Sequence, residues 1–271
     1  MKLQFENPYA NDRVSYQKDA IDAVTELFRG QEICRTEFTV TRRPVIHGQA
    51  GLGLEGIGFV QAELGLAQNV LGVGNRLTLL DDEIIKNLHE IQIRNGLRPS
   101  ENLASGDFTV EMETGTGKTY VYLRTVFELN QKYGFTKFVI VVPSVAIKEG
   151  VYKTLQMTED HFRGIYANAP FEYFIYDSAK LGQVRNFATS PNIQIMIVRV
   201  GAINKKDVNN LYKDSEKTVG EKPIDLVKAT RPVIIVDEPQ SVDGGLQGIG
   251  QTSAGRDESA MHAPLLGYPR R

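Results

Sequence analysis

Residues 112–119 read Met-Glu-Thr-Gly-Thr-Gly-Lys-Thr, and no other stretch constrains the fold of this chain as tightly. Ahead of it, Phe108-Thr109-Val110-Glu111-Met112 predicts a strand; behind it, Tyr120 to Lys132 predicts a helix. Strand, glycine loop and helix is the setting in which this pattern makes a phosphate-binding loop. Gly115 and Gly117 let the backbone curl so that successive N–H groups point inward at phosphate oxygens, flanked by Thr114 and Thr116. The N-terminus of the following helix adds its positive dipole end. Lys118 supplies a mobile point charge for the β- and γ-phosphates, and the Thr119 hydroxyl can ligate Mg²⁺.

A second motif completes that chemistry. Val233-Ile234-Ile235-Val236 predicts a buried strand running directly into Asp237-Glu238-Pro239-Gln240. Two carboxylates then sit at the carboxyl edge of a parallel sheet, where ligands bind in such architectures. Asp237 would hold Mg²⁺ opposite Thr119. Glu238 would orient and polarise an attacking water. Apolar runs followed by acids are common, and helix capping is the alternative for this one. Pairing with the phosphate loop, in the right order, makes the combination specific for nucleoside triphosphate chemistry.

Alternating elements set the fold class. Ser15 caps a predicted helix over 15–29, with Ala20, Ile21, Val24, Leu27 and Phe28 on one face and Gly30 as its stop. Residues 36–47 predict a strand and turn ending in Pro44. Asp81 to Asn95 predicts a second helix, favoured by Asp81, Asp82 and Glu83 at its start and ended by Gly96 and Pro99. Phe138–Val142, Phe171–Tyr176 and Ile193–Val198 predict further strands, and Ala146 to Met157 a helix. Residues 204–222 are polar and lysine-rich, a loop or an exposed helix. The expectation is an α/β, RecA-like doubly wound fold: a mostly parallel sheet with helices on both faces. Three segments follow: 1–105, a helix and insertion leading in; 106–247, the nucleotide-binding lobe; and 248–271, an irregular tail.

Gly51-Leu52-Gly53-Leu54-Glu55-Gly56 matches the dinucleotide fingerprint, but that reading fails. Gly58, Gly65, Gly72 and Gly74 follow, which is poor for the helix such a fingerprint must open. Residues 48–76 read instead as an irregular insertion.

Composition excludes several classes. Net charge is −2, so nucleic-acid contacts would have to come from local patches rather than from a basic chain. Cys34 is the single cysteine, which rules out an internal disulfide framework and fits a reducing compartment. No apolar run is long enough for a bilayer and no signal-peptide pattern opens the chain, so no membrane role and a cytoplasmic location are expected.

Four stretches resemble the superfamily 2 helicase motor of the restriction (Res) subunit of type III restriction-modification systems. They are Met112 to Thr119, Val141-Val142-Pro143-Ser144-Val145-Ala146-Ile147, Tyr176-Asp177-Ser178-Ala179-Lys180-Leu181, and Asp237 to Ser241, over roughly residues 1–247. Met112 stands where the general phosphate-loop pattern has glycine, a departure usual in the helicase version. The resemblance implies an ATP-driven motor on double-stranded DNA, working with a modification methyltransferase (Mod) subunit that recognises the site. It implies that Pro143 and Ser144 track the DNA backbone, with Lys148 and Lys153 adding charge unless they are merely solvated. It also implies that Gln17, beside Tyr16, reads the adenine edge, since an amide offers both a donor and an acceptor. A surface glutamine on an amphipathic helix is the plainer alternative.

The family pattern also needs a second RecA-like lobe, with an arginine finger, and a nuclease domain, and neither fits after Gln240. Residues 250–271 carry no apolar strand. Back-translated and read one nucleotide later, they yield a string with the S-A-T motif that resembles the family's coupling motif. The expectation is a first lobe only, weakly active, with a frameshift near Gly250. Sequencing the gene through its 3′ end tests this, and a shifted frame that meets an early stop sinks it. Two other readings stand beside the motor lobe. One is a regulatory module that binds ATP without turnover, and the other is an RNA helicase fragment, which Pro239-Gln240 disfavours.

Overall fold

A computed structural model describes residues 15–33, 39–41, 70–103, 106–204, 210–213 and 222–239. The 51–56 fingerprint, Pro44, Cys34, Gln240 and the 250–271 tail lie outside the described residues.

The centre is a four-stranded sheet made of β3 (Lys137–Val142), β4 (Phe171–Ile175), β5 (Ile193–Arg199) and β6 (Val233–Val236), in the order β4-β5-β3-β6. All three pairings are parallel, with Phe138 opposite Ile195 on one side and Val233 on the other. Strands buried on both faces need apolar residues at every position. Every residue of β3 and β6 is indeed buried. A separate antiparallel pair joins β1 (Thr39–Thr41) to β2 (Val70–Val73).

Helices cover both faces. Phe138, Ile140, Val142, Ile195 and Ile235 point to a core shared with α1 (Ser15–Glu26), α2 (Asp81–Arg94), α3 (Lys118–Tyr133) and α4 (Val145–Ile165). Alternate residues Val139, Val141, Met196, Val198 and Ile234 point the other way. There they meet Val184 and Phe187 of α5 (Leu181–Thr189), Ile203 of α6 (Val200–Asn204) and Val227 of α7 (Pro223–Ala229). This is the RecA-like α/β architecture expected from the alternation. The first face is the larger, and Phe127 anchors it by stacking on Phe162 and Tyr166 and meeting Phe171 edge-on.

Two differences from the sequence reading have physical causes. Helix α4 runs on to Ile165, because Val151, Leu155, Thr158 and Phe162 keep a buried stripe at helical spacing well past Met157. The expected strand at 108–112 is not in the sheet. Its alternation is present, with Phe108, Val110 and Met112 half-buried and Thr109 and Glu111 exposed, yet it has no ladder partner among the described residues. Val110 and Met112 pack instead on Ala20, Ile21 and Val121. Alternation fixes which face is buried; hydrogen-bond pairing needs a neighbour that local sequence does not specify.

Candidate functional site

The phosphate-type loop sits between that extended segment and α3. Gly115 and Gly117 have φ of +83° and +86°, the left-handed region that only glycine enters cheaply. Gly117 is the N-cap of α3, and no side chain caps the helix there. No capping side chain therefore competes for the first-turn N–H groups of α3, an arrangement suited to an anion. Thr116 braces the loop by donating its hydroxyl to the Glu113 carbonyl at 2.7 Å.

Gln17 reaches the loop from α1. Its amide nitrogen donates to the Thr116 carbonyl at 2.8 Å and lies where a Cβ on Gly117 would stand, 2.7 Å away. Tyr16, its neighbour, is exposed on the helix surface. Gln17 is thus coupled to the loop directly, a contact the sequence did not foretell.

The acidic pair comes from the end of β6. The Asp237 N–H donates to the Val141 carbonyl at 3.0 Å, extending the sheet by one bond and fixing the carboxylate's origin. Glu238 then turns with φ +54° and exposes its side chain. A glutamate in that region is strained, and such strain persists only where surroundings over-determine it.

These parts meet. Lys118, Asp237 and Glu238 line one shallow, open cleft. Ala20, Val24, Val110, Met112, Val121 and Val236 form its apolar wall. Tyr122 closes the polar side: its buried hydroxyl donates to Asp237 Oδ2 at 3.3 Å. Burial, and then the adjacent Glu238, raise the Asp237 carboxyl above its ordinary value, while the Tyr122 bond and the Lys118 charge pull it down. Burial and Asp237 push the Tyr122 phenol well up. The phenol thus stays a donor. Tyr122 was not identifiable from sequence. Its only signal is a hydroxyl three residues after Thr119 inside an apolar helix face.

Pro143 and Ser144 lie at the carboxyl end of β3, on the same edge of the sheet but outside the cleft. Ser144 caps α4, its hydroxyl accepting from the Ile147 N–H at 3.2 Å. The Lys148 ammonium lies 3.3 Å from Glu149, which offsets its charge locally. Among the described residues no group of three or more His, Cys, Asp or Glu side chains stands ready for a metal.

Comparison with known proteins agrees with this architecture. The family model described as type III restriction enzyme, res subunit matches residues 12–240. The Res subunit of the type III restriction-modification enzyme EcoP15I from Escherichia coli is 31% identical over 225 residues, covering 73% of this chain and 23% of that protein. The EcoPI Res subunit of Escherichia phage P1 is 30% identical over 227 residues, with the same coverage. The StyLTI Res subunit of Salmonella typhimurium strain LT2 is 37% identical over 149 residues, 48% of this chain and 15% of that protein. The chain therefore spans under a quarter of the length of the relatives it matches.

Proposed function

This chain belongs to the family of type III restriction enzyme Res subunits, and from that premise we propose that its parallel-sheet lobe binds Mg-ATP and hydrolyses it as part of a motor on double-stranded DNA. The observation that carries the reading is the convergence of Lys118, Asp237 and Glu238 on one cleft beside a glycine loop.

The donor set fits magnesium. A hydroxyl and a carboxylate are hard oxygen ligands, and Mg²⁺ characteristically takes only one or two protein oxygens, filling the rest with phosphates and water. Thr119 and Asp237 would hold it, and the bound ion would neutralise charge on the β- and γ-phosphates. The loop N–H groups and Lys118 bind the phosphates, and Glu238 accepts a proton from the attacking water as its oxygen bonds phosphorus. The β–γ bridging oxygen leaves with ADP. Gln17 reads adenine with its amide oxygen and second N–H, the first N–H being engaged by the loop. Pro143 and Ser144, with Lys148, contact the DNA backbone, and site recognition falls to a Mod subunit. No described helix is long and apolar enough to cross a membrane, and we assign the work to the cytoplasm.

A second reading, ATP binding without turnover by this chain alone, is favoured by one feature. Among the described residues Lys118 is the single cation lining the cleft, whereas phosphoryl transfer is commonly completed by an arginine from outside. Fluorescent ATP-analogue binding and phosphate release, measured on the purified chain with and without duplex DNA, separate the two. Glu238→Gln should keep binding and abolish any turnover. Binding that survives Lys118→Ala, or no binding at all, sinks both.

A further inference from the structure

Tyr122 lies one helical turn beyond Lys118 and is 6% exposed. Its buried neighbours Val121, Leu123 and Val126 offer no side-chain polar atom. A phenol there must find partners for its hydroxyl, or burial is costly. Its hydroxyl donates to Asp237 Oδ2, one of the two oxygen ligands assigned above to the metal.

We propose that Tyr122 is a positioning residue for magnesium, holding the Asp237 carboxylate in the orientation that presents its free oxygen to the ion. The inference rests on the cleft being a Mg-nucleotide site. A carboxylate's terminal torsion is broad and roughly two-fold, so Asp237 at the end of a strand has no intrinsic reason to face the loop. A donor on Oδ2 selects one orientation and leaves Oδ1 for the ion. The Tyr122–Asp237 separation of 3.3 Å is longer than the roughly 2.7 Å of a strong O–H···O bond, so the effect belongs at the lower end for such outer-sphere partners.

The test measures fluorescent ATP-analogue affinity of the full chain in EDTA and across a Mg²⁺ titration, for the parent, Tyr122→Phe and Asp237→Asn. In Tyr122→Phe the metal-free affinity should stay close to the parent's, while the Mg²⁺ midpoint of the metal-dependent gain rises about tenfold. Asp237→Asn should remove that gain. Equal Mg²⁺ midpoints for parent and Tyr122→Phe overturn the positioning role and leave the nucleotide site standing. A parallel fall in both affinities, with a lower melting temperature, marks a packing role and overturns it too. Absence of a Mg²⁺-dependent gain in the parent overturns the site reading and this inference with it. Should Tyr122→Phe not fold, 3-fluorotyrosine at position 122 keeps shape and hydroxyl. Its ¹⁹F resonance should move when Mg²⁺ is added to the nucleotide-loaded chain and hold still in Asp237→Asn; a resonance indifferent to Mg²⁺ overturns the inference.

Discussion

At the amino end of the sheet, Asn75 is buried and its side chain is satisfied through short bonds. Its amide nitrogen donates to the Lys137 carbonyl at 2.8 Å, and its oxygen accepts from the Thr136 and Lys137 N–H groups at 2.8 and 3.1 Å. Its own N–H donates to the Thr230 carbonyl at 2.8 Å, beside Gly74, where a Cβ would meet Thr230 backbone at 2.7 Å. At the carboxyl end the pattern reverses. Gly115, Gly117 and Glu238 all have positive φ, the Asp237 carboxylate accepts only a long bond from Tyr122 among the side chains described, and it is destabilised as a charge. The same strands thus end in a saturated seam on one side and an unfinished one on the other. Strain and incomplete pairing gather where a ligand would supply what is missing.

The largest expected effects split along that line. Asn75→Ala would leave the buried N–H groups of Thr136 and Lys137 without their acceptor, at roughly 1–3 kcal/mol each. Chemical denaturation should show a loss of about 3 kcal/mol or more, with the nucleotide cleft chemically untouched. Lys118→Ala should do the opposite. Nucleotide affinity should fall by on the order of a hundredfold, the equivalent of about 3 kcal/mol for a charge-assisted contact, while the unfolding midpoint barely moves. If Asn75→Ala leaves stability intact, or Lys118→Ala unfolds the chain, the division of labour between the two ends is wrong.

The glycine loop allows a finer cut. Gly117→Ala forces an alanine into the left-handed region, at about 1–2 kcal/mol, and drives its Cβ into the Gln17 amide. Gly115→Ala carries the same backbone strain with open space around it. Both should lower the melting temperature slightly. Only Gly117→Ala should also release Gln17, and a spectroscopic probe on α1 beside it should report the change. Equal behaviour of the two variants would mean that the Gln17–Thr116 bond does not tie α1 to the loop.

The same contrast explains what could be read in advance. Lys118, Thr119, Asp237 and Glu238 were legible because the loop and the acid-tipped strand are short, contiguous patterns with fixed chemistry. Strands β3, β5 and β6 were legible because two-sided burial writes apolar runs, Phe138–Val142, Ile195–Val198 and Val233–Val236. Tyr122 was not: its meaning depends on Asp237, which is 115 positions away in sequence. Asn75 is a lone polar residue whose partners are backbone atoms brought together by folding. Helix α5 is short, contains Gly182 and has no side-chain cap, so little in its sequence announces it. Helix α7 carried a signal, Pro223 in its first turn with Asp225 close behind, just after the lysine-rich 204–222 that read as a loop or an exposed helix. Phe108–Met112 shows the converse, a correct alternation without a sheet partner among the described residues.

The smallest effect concerns Lys137, the one charged side chain fully buried at the amino end among the described residues. Its ammonium donates to the Ser190 carbonyl, lies 5.7 Å from the Phe187 ring centre and has Glu172 nearby. Burial outweighs Glu172 and lowers its pKa from 10.5 to about 8. Between those values the unfolded chain keeps a proton that the folded chain releases, so the unfolded state binds more protons and stability rises with pH. Below the folded value both states are charged and the penalty is fully present; above the unfolded value both are neutral and it has gone. Several tyrosines work in the other direction at higher pH. Tyr176 is pushed up to about 12 by burial and then by Asp177, so its folded form keeps a proton that the unfolded chain loses near 10. Lys137→Met carries the same tyrosines and removes their contribution from the comparison. The stability difference between Lys137→Met and the parent should therefore favour methionine below pH 8 and shrink by about 1 kcal/mol per pH unit between pH 8 and 9.5. A difference that stays flat across that window would show that the lysine remains charged in the fold, and that the amino end of the sheet tolerates a buried cation as readily as the carboxyl end tolerates a strained glutamate.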